Sequence, residues 1–136
     1  MRVVLDTNVI VSALSHGGKP LKILTIVRKG EIQLVISPFL FDEVMRVLQE
    51  KFSWSPDRAE RLRVRLRRIS QVVTPTQHVR VLEDDSDNRI LECALEGRAH
   101  VIVTGDKDLI RLGVYRDISI LTPAQFLEIL KQRGIQ

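Results

Sequence analysis

The chain of 136 residues contains little cysteine, few aromatic residues and no long apolar segment. Its single cysteine, Cys93, excludes an internal disulfide and a zinc site built from several cysteines, and it is consistent with a reducing cytoplasm. No apolar run approaches the roughly 18 residues that a membrane-spanning helix requires. The first residues resemble a strand and do not have the pattern of a cleavable signal peptide. These features predict a cytoplasmic protein that has no membrane segment.

The remaining composition is that of an ordinary globular protein, with 44% hydrophobic and 28% charged residues. A length of 136 residues fits one domain with a proper core, and we find no linker, repeat or low-complexity segment to divide it. We therefore predict a single domain over residues 1–136.

Short aliphatic runs alternate with segments of helical periodicity along the chain. The runs rich in valine, isoleucine and leucine predict strands over residues 2–6, 33–36, 72–74, 101–104 and 118–121. Helices are predicted over residues 8–15, 21–28, from Ser37 onward, 56–69, from Ser86 to about Arg98, and from Thr122 onward. The alternation predicts an α/β fold with a parallel sheet covered on both faces.

Two of the predicted strands lead to an aspartate: Asp6 is the last residue of the first, and Asp106 comes soon after the fourth. Glu43 and Asp87 lie in the first turns of predicted helices. In a parallel sheet all four acids would emerge at the carboxyl edge, where open α/β sheets bind ligands. Converging carboxylates repel one another unless a cation lies between them, and hard oxygen ligands suit Mg²⁺ or Mn²⁺. The alternative is that each acid is a helix cap or a surface charge.

Charge is distributed unevenly along the chain. Residues 46–68 contain eight bases and three acids, whereas residues 83–108 contain eight acids and three bases. Six of the eleven residues from Arg58 to Arg68 are arginine, and the apolar positions between them keep a helical stripe. We predict that Arg58, Arg61, Arg65 and Arg68 contact the phosphates of single-stranded RNA. An acidic partner segment or plain solvation of this helix would explain the same pattern, and only one tryptophan, Trp54, is available for base stacking.

Four motifs resemble those of the PIN-domain family, and their order and spacing match along nearly the whole chain. They are Leu5-Asp6-Thr7-Asn8-Val9, Ser37-Pro38 followed by Glu43, the run from Asp84 to Leu91, and Val103-Thr104-Gly105-Asp106-Lys107-Asp108-Leu109. Each motif is weak alone, but the combination is specific. The chain is most similar in pattern to single-domain, VapC-like proteins classed as toxins of toxin–antitoxin pairs.

This resemblance implies a three-layer α/β/α fold with a central parallel sheet in the strand order 3-2-1-4-5. It also implies a metal-dependent ribonuclease with the acids Asp6, Glu43, Asp87 and Asp106 as metal ligands and catalytic residues. Three further residues would orient these acids or the catalytic water without being part of the ligand set: Asn8, Thr104 and Asp108. Asp84 and Asp85 compete for the third position, and Asp87 is preferred because it directly precedes Asn88 and the apolar pair Ile90-Leu91. The implied partners are an RNA substrate, a protein antitoxin and a second copy of the chain.

A different class of function is compatible with the same residues. A binding module without catalysis would keep the fold and the basic helix, and would act by occupying RNA or a protein partner. It predicts RNA binding that is sensitive to salt but insensitive to chelation of metal ions. The mutual distances of the four acids are therefore the first structural test.

Overall fold

A computed structural model describes every residue from Met1 to Gln136. Seven helices surround one six-stranded sheet. The strands are β1 (Arg2–Leu5), β2 (Gln33–Ile36), β3 (Ser70–Val72), β4 (Val101–Val103), β5 (Val114–Tyr115) and β6 (Ile118–Leu121). The helices are α1 (Thr7–Ser15), α2 (Gly18–Arg28), α3 (Pro38–Phe52), α4 (Pro56–Arg68), α5 (Asp85–Glu96), α6 (Lys107–Leu112) and α7 (Pro123–Gln132). None of these helices combines the length and the apolar character needed to cross a bilayer.

The sheet has the order β3-β2-β1-β4-β6-β5. Its first five members are parallel and follow the predicted order, because the predicted fifth strand is the sixth in the chain. The sheet is mixed at one edge, where the short strand β5, which was not predicted, is antiparallel to β6. β5 has only two residues and is joined to β6 by a tight turn at Arg116-Asp117, where both residues have positive φ. The apolar pattern of this hairpin is too short to be recognised in the sequence.

Consecutive residues of the central strands are buried, so both faces of the sheet are covered. Val3, Val4 and Leu5 are at most 1% exposed, and the three residues of β4 are also buried. Alternate residues of a strand point to opposite faces, and burial of both sets requires helices on each side. The α/β class with a layer of helices on each face is thus confirmed.

Several element boundaries differ from the prediction for local reasons. The α5 helix begins at Asp85 and not after Ser86, because the Asp84 side chain caps it by accepting hydrogen bonds from the Ser86 amide and hydroxyl. The β3 strand lies two residues earlier than predicted, and its exposed Gln71 and Val72 explain the weak apolar signal. Helix α2 begins at Gly18, inside the predicted loop.

The caps at Ser37 and Thr122 form as the sequence predicts. The Ser37 side chain accepts from the Leu40 amide at 3.3 Å, and Pro38 occupies the first helical position. Thr122 forms a reciprocal capping box with Gln125. These caps fix the starts of α3 and α7 directly after β2 and β6.

Gly97, at the end of α5, lies against the buried β2 residue Val35. A Cβ atom at Gly97 would overlap the Val35 side chain, which has no free space to move into. We expect Gly97→Ala to lower the free energy of unfolding by about 1–3 kcal/mol through overpacking. Urea unfolding would measure the loss, and Gly105→Ala, whose added methyl meets no neighbour, is the control. Equal stability of both variants would contradict the close approach of α5 to the sheet.

Candidate metal centre

Asp6 and Asp106 lie at the carboxyl edge of the two adjacent central strands. The backbone amide of Asp6 donates to the Val103 carbonyl at 2.9 Å, which continues the β1–β4 ladder by one residue. Asp106 follows β4 after two residues and becomes the cap of α6. Both acids therefore lie where the two adjacent central strands end.

Thr104 links these two acids. Its fully buried hydroxyl donates to Asp6 Oδ2 at 2.6 Å and accepts from the Asp106 amide at 3.0 Å. The hydroxyl thus orients the Asp6 carboxylate and the backbone that carries Asp106. This contact has the form predicted for a supporting residue.

Three carboxylates form the tightest cluster of possible metal ligands. One oxygen from each of Asp87, Asp106 and Asp108 lies within 4.8 Å of the others. Asp87 projects from the first turn of α5, whereas Asp108 lies in the first turn of α6, two residues after Asp106. Asp108 was predicted as a supporting residue, but the structure places it among the acids of the cluster itself.

Asp87 is 6% exposed, and its Oδ2 is buried without a hydrogen-bond partner. A buried, unpaired carboxylate oxygen costs free energy that a cation beside it would recover. The cluster offers only carboxylate oxygens, which are the ligands that Mg²⁺ and Mn²⁺ prefer. Asp87, Asp106 and Asp108 therefore fit a hard divalent cation.

Two of the four predicted metal ligands, Asp6 and Glu43, lie outside this three-acid cluster. Glu43 approaches the centre from α3. Its Oε2 accepts a hydrogen bond from the Thr7 hydroxyl at 3.2 Å, and Arg46 lies 3.9 Å from its Oε1. Sequence reasoning missed Thr7 as a partner of Glu43, because the two residues are 36 positions apart in the sequence. The sequence signal for this contact is that Thr7 directly follows Asp6 at the end of the first strand.

The acids of the centre share an unfavourable electrostatic environment. Burial is the main cause that raises the pKa of Asp87 to about 7, and the nearby charges of Asp106, Asp84, Asp6 and Asp108 contribute the rest of this rise. Burial also raises the pKa of Asp6, although the Thr104 hydrogen bond opposes the rise. The pKa of Glu43 is raised by burial, against the effect of Thr7. Desolvation and mutual repulsion both favour proton or cation binding here.

Asn8 is exposed and does not use its side chain to hold Asp6. Its backbone amide donates to Asp6 Oδ1 at 3.4 Å, and its side chain lines a polar depression of about 480 Å³. The other lining residues are Gly105, Asp106, Lys107 and Asp108. The expected contact between the Asn8 side chain and Asp6 is absent, but this side chain lies at the mouth of the centre.

The arginines of α4 have different surroundings. Arg58 stacks on Trp54, with its guanidinium carbon 3.7 Å from the ring centroid, and Trp54 is partly buried against the core. Arg63 pairs with Asp42 at 3.1 Å and Glu60 at 3.6 Å. The predicted phosphate contacts Arg61, Arg65 and Arg68 form no ion pair.

Arg68 lies far from the acids along the strand direction. It lines a depression with Met1 and Gln33, at the amino ends of β1 and β2. Two other bases lie closer to the acids: Lys107 beside Asp106 and Arg46 beside Glu43. These two bases were not predicted as site residues, because only the arginines from Arg58 to Arg68 form a dense basic pattern in the sequence.

Comparison with known proteins gives a family match and a relative of similar length. Residues 2–108 match the PIN domain family, a span that includes all the acids described above. An uncharacterized protein of Methanocaldococcus jannaschii is 31% identical over 94% of this chain and 90% of its own length.

Two solved structures share the fold. VapBC-1 from nontypeable Haemophilus influenzae superposes with a TM-score of 0.63 at 19% identity, covering 91% of this chain and 99% of that one. VapBC2 from Rickettsia felis, bound to a DNA fragment from their promoter, gives a TM-score of 0.59 at 14% identity, covering 88% and 97%. With the motifs in order, the predicted strands in place and the family match spanning residues 2–108, the chain belongs to the PIN-domain family.

Proposed function

We propose that the protein is a Mg²⁺- or Mn²⁺-dependent endoribonuclease that hydrolyses RNA phosphodiester bonds. The observation that carries the proposal is the buried, unpartnered Oδ2 of Asp87 in a cluster with Asp106 and Asp108. A buried carboxylate oxygen without a partner destabilises a protein that binds no cation there, whereas it serves as a ligand in a protein that binds one. Membership of the PIN-domain family and the carboxyl-edge location support the same function.

We assign a role to each acid from its position in the centre. Asp87, Asp106 and Asp108 would hold the metal, while Asp6, oriented by Thr104, would complete the ligand set from the sheet. Glu43, fixed by the Thr7 hydroxyl, would accept a hydrogen bond from the attacking water and orient it. Together these four predicted catalytic residues and Asp108 make up the proposed active site.

A divalent cation in such a site acidifies water and neutralises charge on the phosphate. The water oxygen forms a bond to phosphorus, the bond to O3′ breaks, and the displaced oxygen takes up a proton. The products are a 5′-phosphate on one RNA fragment and a 3′-hydroxyl on the other. Lys107 and Arg46 lie where phosphates that flank the scissile bond would pass.

The basic helix α4 would extend the RNA-binding surface. Arg61 and Arg65 form no ion pair with the protein, so their guanidinium groups are available to phosphates. Arg58 on Trp54 presents a flat cationic surface, which suits an unpaired base or a phosphate. The location of Arg68 at the opposite edge makes it the weakest of the four predicted contacts.

We further propose that the protein is the toxin of a toxin–antitoxin pair, active in the cytoplasm as a homodimer. Its fold matches that of chains in two VapBC structures, and the VapC-like order of motifs supports the same class. The antitoxin would be a protein that binds this chain and blocks its activity.

The decisive experiment is RNA cleavage by the purified protein with and without divalent cations. We expect single-stranded RNA to be cut with Mg²⁺ or Mn²⁺, with 5′-phosphate and 3′-hydroxyl ends, and to survive when EDTA is present. RNA binding that continues in EDTA, combined with no cleavage under any metal condition, would instead support the binding module. A 2′,3′-cyclic phosphate product would contradict attack by water.

A further inference from the structure

An extended segment, residues 76–82, lies along α5 and is called the strap. It has no regular secondary structure and runs antiparallel to the helix, from the end of α5 back to its start. It joins β3 to the turn that leads into α5. Extended backbone outside a sheet must find other partners for its amide groups.

Helix α5 supplies those partners from one face. Asn88, Glu92 and Glu96 are spaced by four residues, which places them above one another along the helix. Glu96 accepts from the amide and hydroxyl of Thr76, both at 2.9 Å, and Glu92 accepts from the Val79 amide at 2.8 Å. Sequence reasoning missed this ladder, since acids on a helix usually indicate a solvated face.

Asn88 forms the end of the ladder nearest the metal centre. Its Oδ1 accepts from the amides of Val81 at 3.2 Å and Leu82 at 2.9 Å, and its Nδ2 donates to the Leu82 carbonyl at 2.8 Å. The side chain is 3% exposed. Three hydrogen bonds thus join the strap to the residue that directly follows Asp87 in α5.

The first turn of α5 needs such an attachment. It carries Asp85 and Asp87 after the Asp84 cap, and Asp87 lies within 4.8 Å of oxygens from Asp106 and Asp108. Like charges at that distance push α5 away from the loop that follows β4. The hydrogen bonds of Asn88 resist this displacement, because the strap is connected at its other end to the sheet through Val73, whose amide donates to Ile36.

We propose that Asn88 is a positioning residue that sets the divalent-metal affinity of the cluster of Asp87, Asp106 and Asp108. The inference rests on the proposed function, since it assumes that this cluster binds the metal. Asn88 does not contact the cation itself. It acts by fixing the turn that presents Asp87.

The test compares the Mn²⁺ affinity of two variants that each loosen the strap. Asn88→Ala removes the attachment beside Asp87, whereas Glu96→Ala removes two hydrogen bonds about 12 Å from Asn88 along the helix. Titration with Mn²⁺, followed by the electron paramagnetic resonance of the free ion, gives the dissociation constant without RNA. We expect an increase of about tenfold or more for Asn88→Ala and no change for Glu96→Ala.

Asn88→Asp is a second variant for the same Mn²⁺ titration, and it tests the inference even if Asn88→Ala does not fold. Aspartate can still accept from both amides but cannot donate to the Leu82 carbonyl, and it adds a negative charge beside Asp87. Electrostatics alone would tighten Mn²⁺ binding, so weaker binding would identify a loss of positioning. Unchanged or tighter binding by Asn88→Asp would overturn the inference.

Two further outcomes would also overturn the inference. A folded Asn88→Ala protein with wild-type affinity would do so, and so would equal weakening by Glu96→Ala, which would indicate general loosening of the fold. Failure of the wild-type protein to bind Mn²⁺ would overturn this inference and the proposed function together. Metal binding that depends on Asn88 in a protein that does not cut RNA would contradict only the proposed function.

Discussion

Replacing Asp106 with asparagine is expected to lower the rate of RNA cleavage by about 10³-fold, equivalent to roughly 4 kcal/mol of transition-state stabilisation. The Asp106 Oδ1 caps α6 by accepting from the amides of Asp108 and Leu109. Asparagine caps helices as well as aspartate does, so the substitution keeps the turn and removes the charge. The loss should therefore come from weaker metal binding and not from unfolding. Initial rates with a labelled single-stranded RNA would measure it.

Asp57→Asn is the matched control for this experiment. Asp57 is an exposed acid in the first turn of α4, so its replacement also removes one negative charge near a helix start. We expect this variant to cut RNA at the wild-type rate, and Asp106→Asn to have a melting temperature at least as high as that of the wild-type protein in the absence of metal. Equal activity of Asp106→Asn and the wild-type protein would refute the metal centre as the site of cleavage.

The central part of the fold could be predicted because its signals are local. Runs such as Val3-Val4-Leu5 and the strand before Ser37 combine β-branched residues with burial on both faces, and Ser37-Pro38 marks a helix start by its own chemistry. Helix α6 and strand β5 were missed because six and two residues are too few for a periodic pattern. The antiparallel edge of the sheet followed from this second omission.

The site was predictable where an acid directly follows a strong element. Asp6 and Asp106 follow buried strands, and Asp87 lies in the first turn of a well-patterned helix. The contacts that support them depend on tertiary structure: Thr7 meets Glu43 across 36 residues, and Thr104 meets Asp6 across 98. Asp108 could not be ranked above a supporting role, because only the start of α6, absent from the predicted elements, turns it toward Asp87.

The strap shows a more general difficulty for sequence reasoning. Glu92 and Glu96 are acids on a helix, and a periodic pattern assigns such residues to solvent. Here Glu92 is only 6% exposed, and its carboxylate accepts from the Val79 backbone amide and pairs with Arg89 at 2.9 Å. These two contacts compensate for its burial. Residues 76–82 belong to no helix or strand, so their backbone amides need hydrogen-bond partners elsewhere. That need is the cue that would have pointed to buried acceptors on α5.

Replacing Asp87 with asparagine should stabilise the metal-free protein above pH 7. In the folded chain the pKa of Asp87 is about 7, raised first by burial and then by Asp106 and the other acids, against an ordinary value of 3.8. Between these pH values the folded state binds more protons than the unfolded state. The free energy of unfolding therefore decreases as pH rises through this window, and the full penalty is present above pH 7.

Asparagine removes this penalty because it does not ionise, and its amide can donate to a neighbouring carboxylate. After allowance for solvent screening, we expect a gain of about 1–3 kcal/mol at pH 8, or a rise in melting temperature of about 3–8 °C. The gain should diminish as the pH falls toward 4, where the wild-type carboxyl becomes protonated. Thermal unfolding in EDTA, followed by circular dichroism from pH 4 to 8, would measure both trends.

Mn²⁺ should reverse the order of the two proteins. A cation that binds only the folded state raises the melting temperature, by an amount equivalent to about 2.7 kcal/mol at a concentration 100 times its dissociation constant. The wild-type protein should gain this stabilisation, whereas Asp87→Asn should lose most of it. Asp85→Asn, which removes an exposed acid from the same turn, should show neither the gain in EDTA nor the loss with Mn²⁺. Lower stability of Asp87→Asn in EDTA at pH 8 would mean that Asp87 is held by structural contacts and not for a cation. The same acid would thus destabilise the metal-free fold and hold the metal, and both expected effects follow from its burial among like charges.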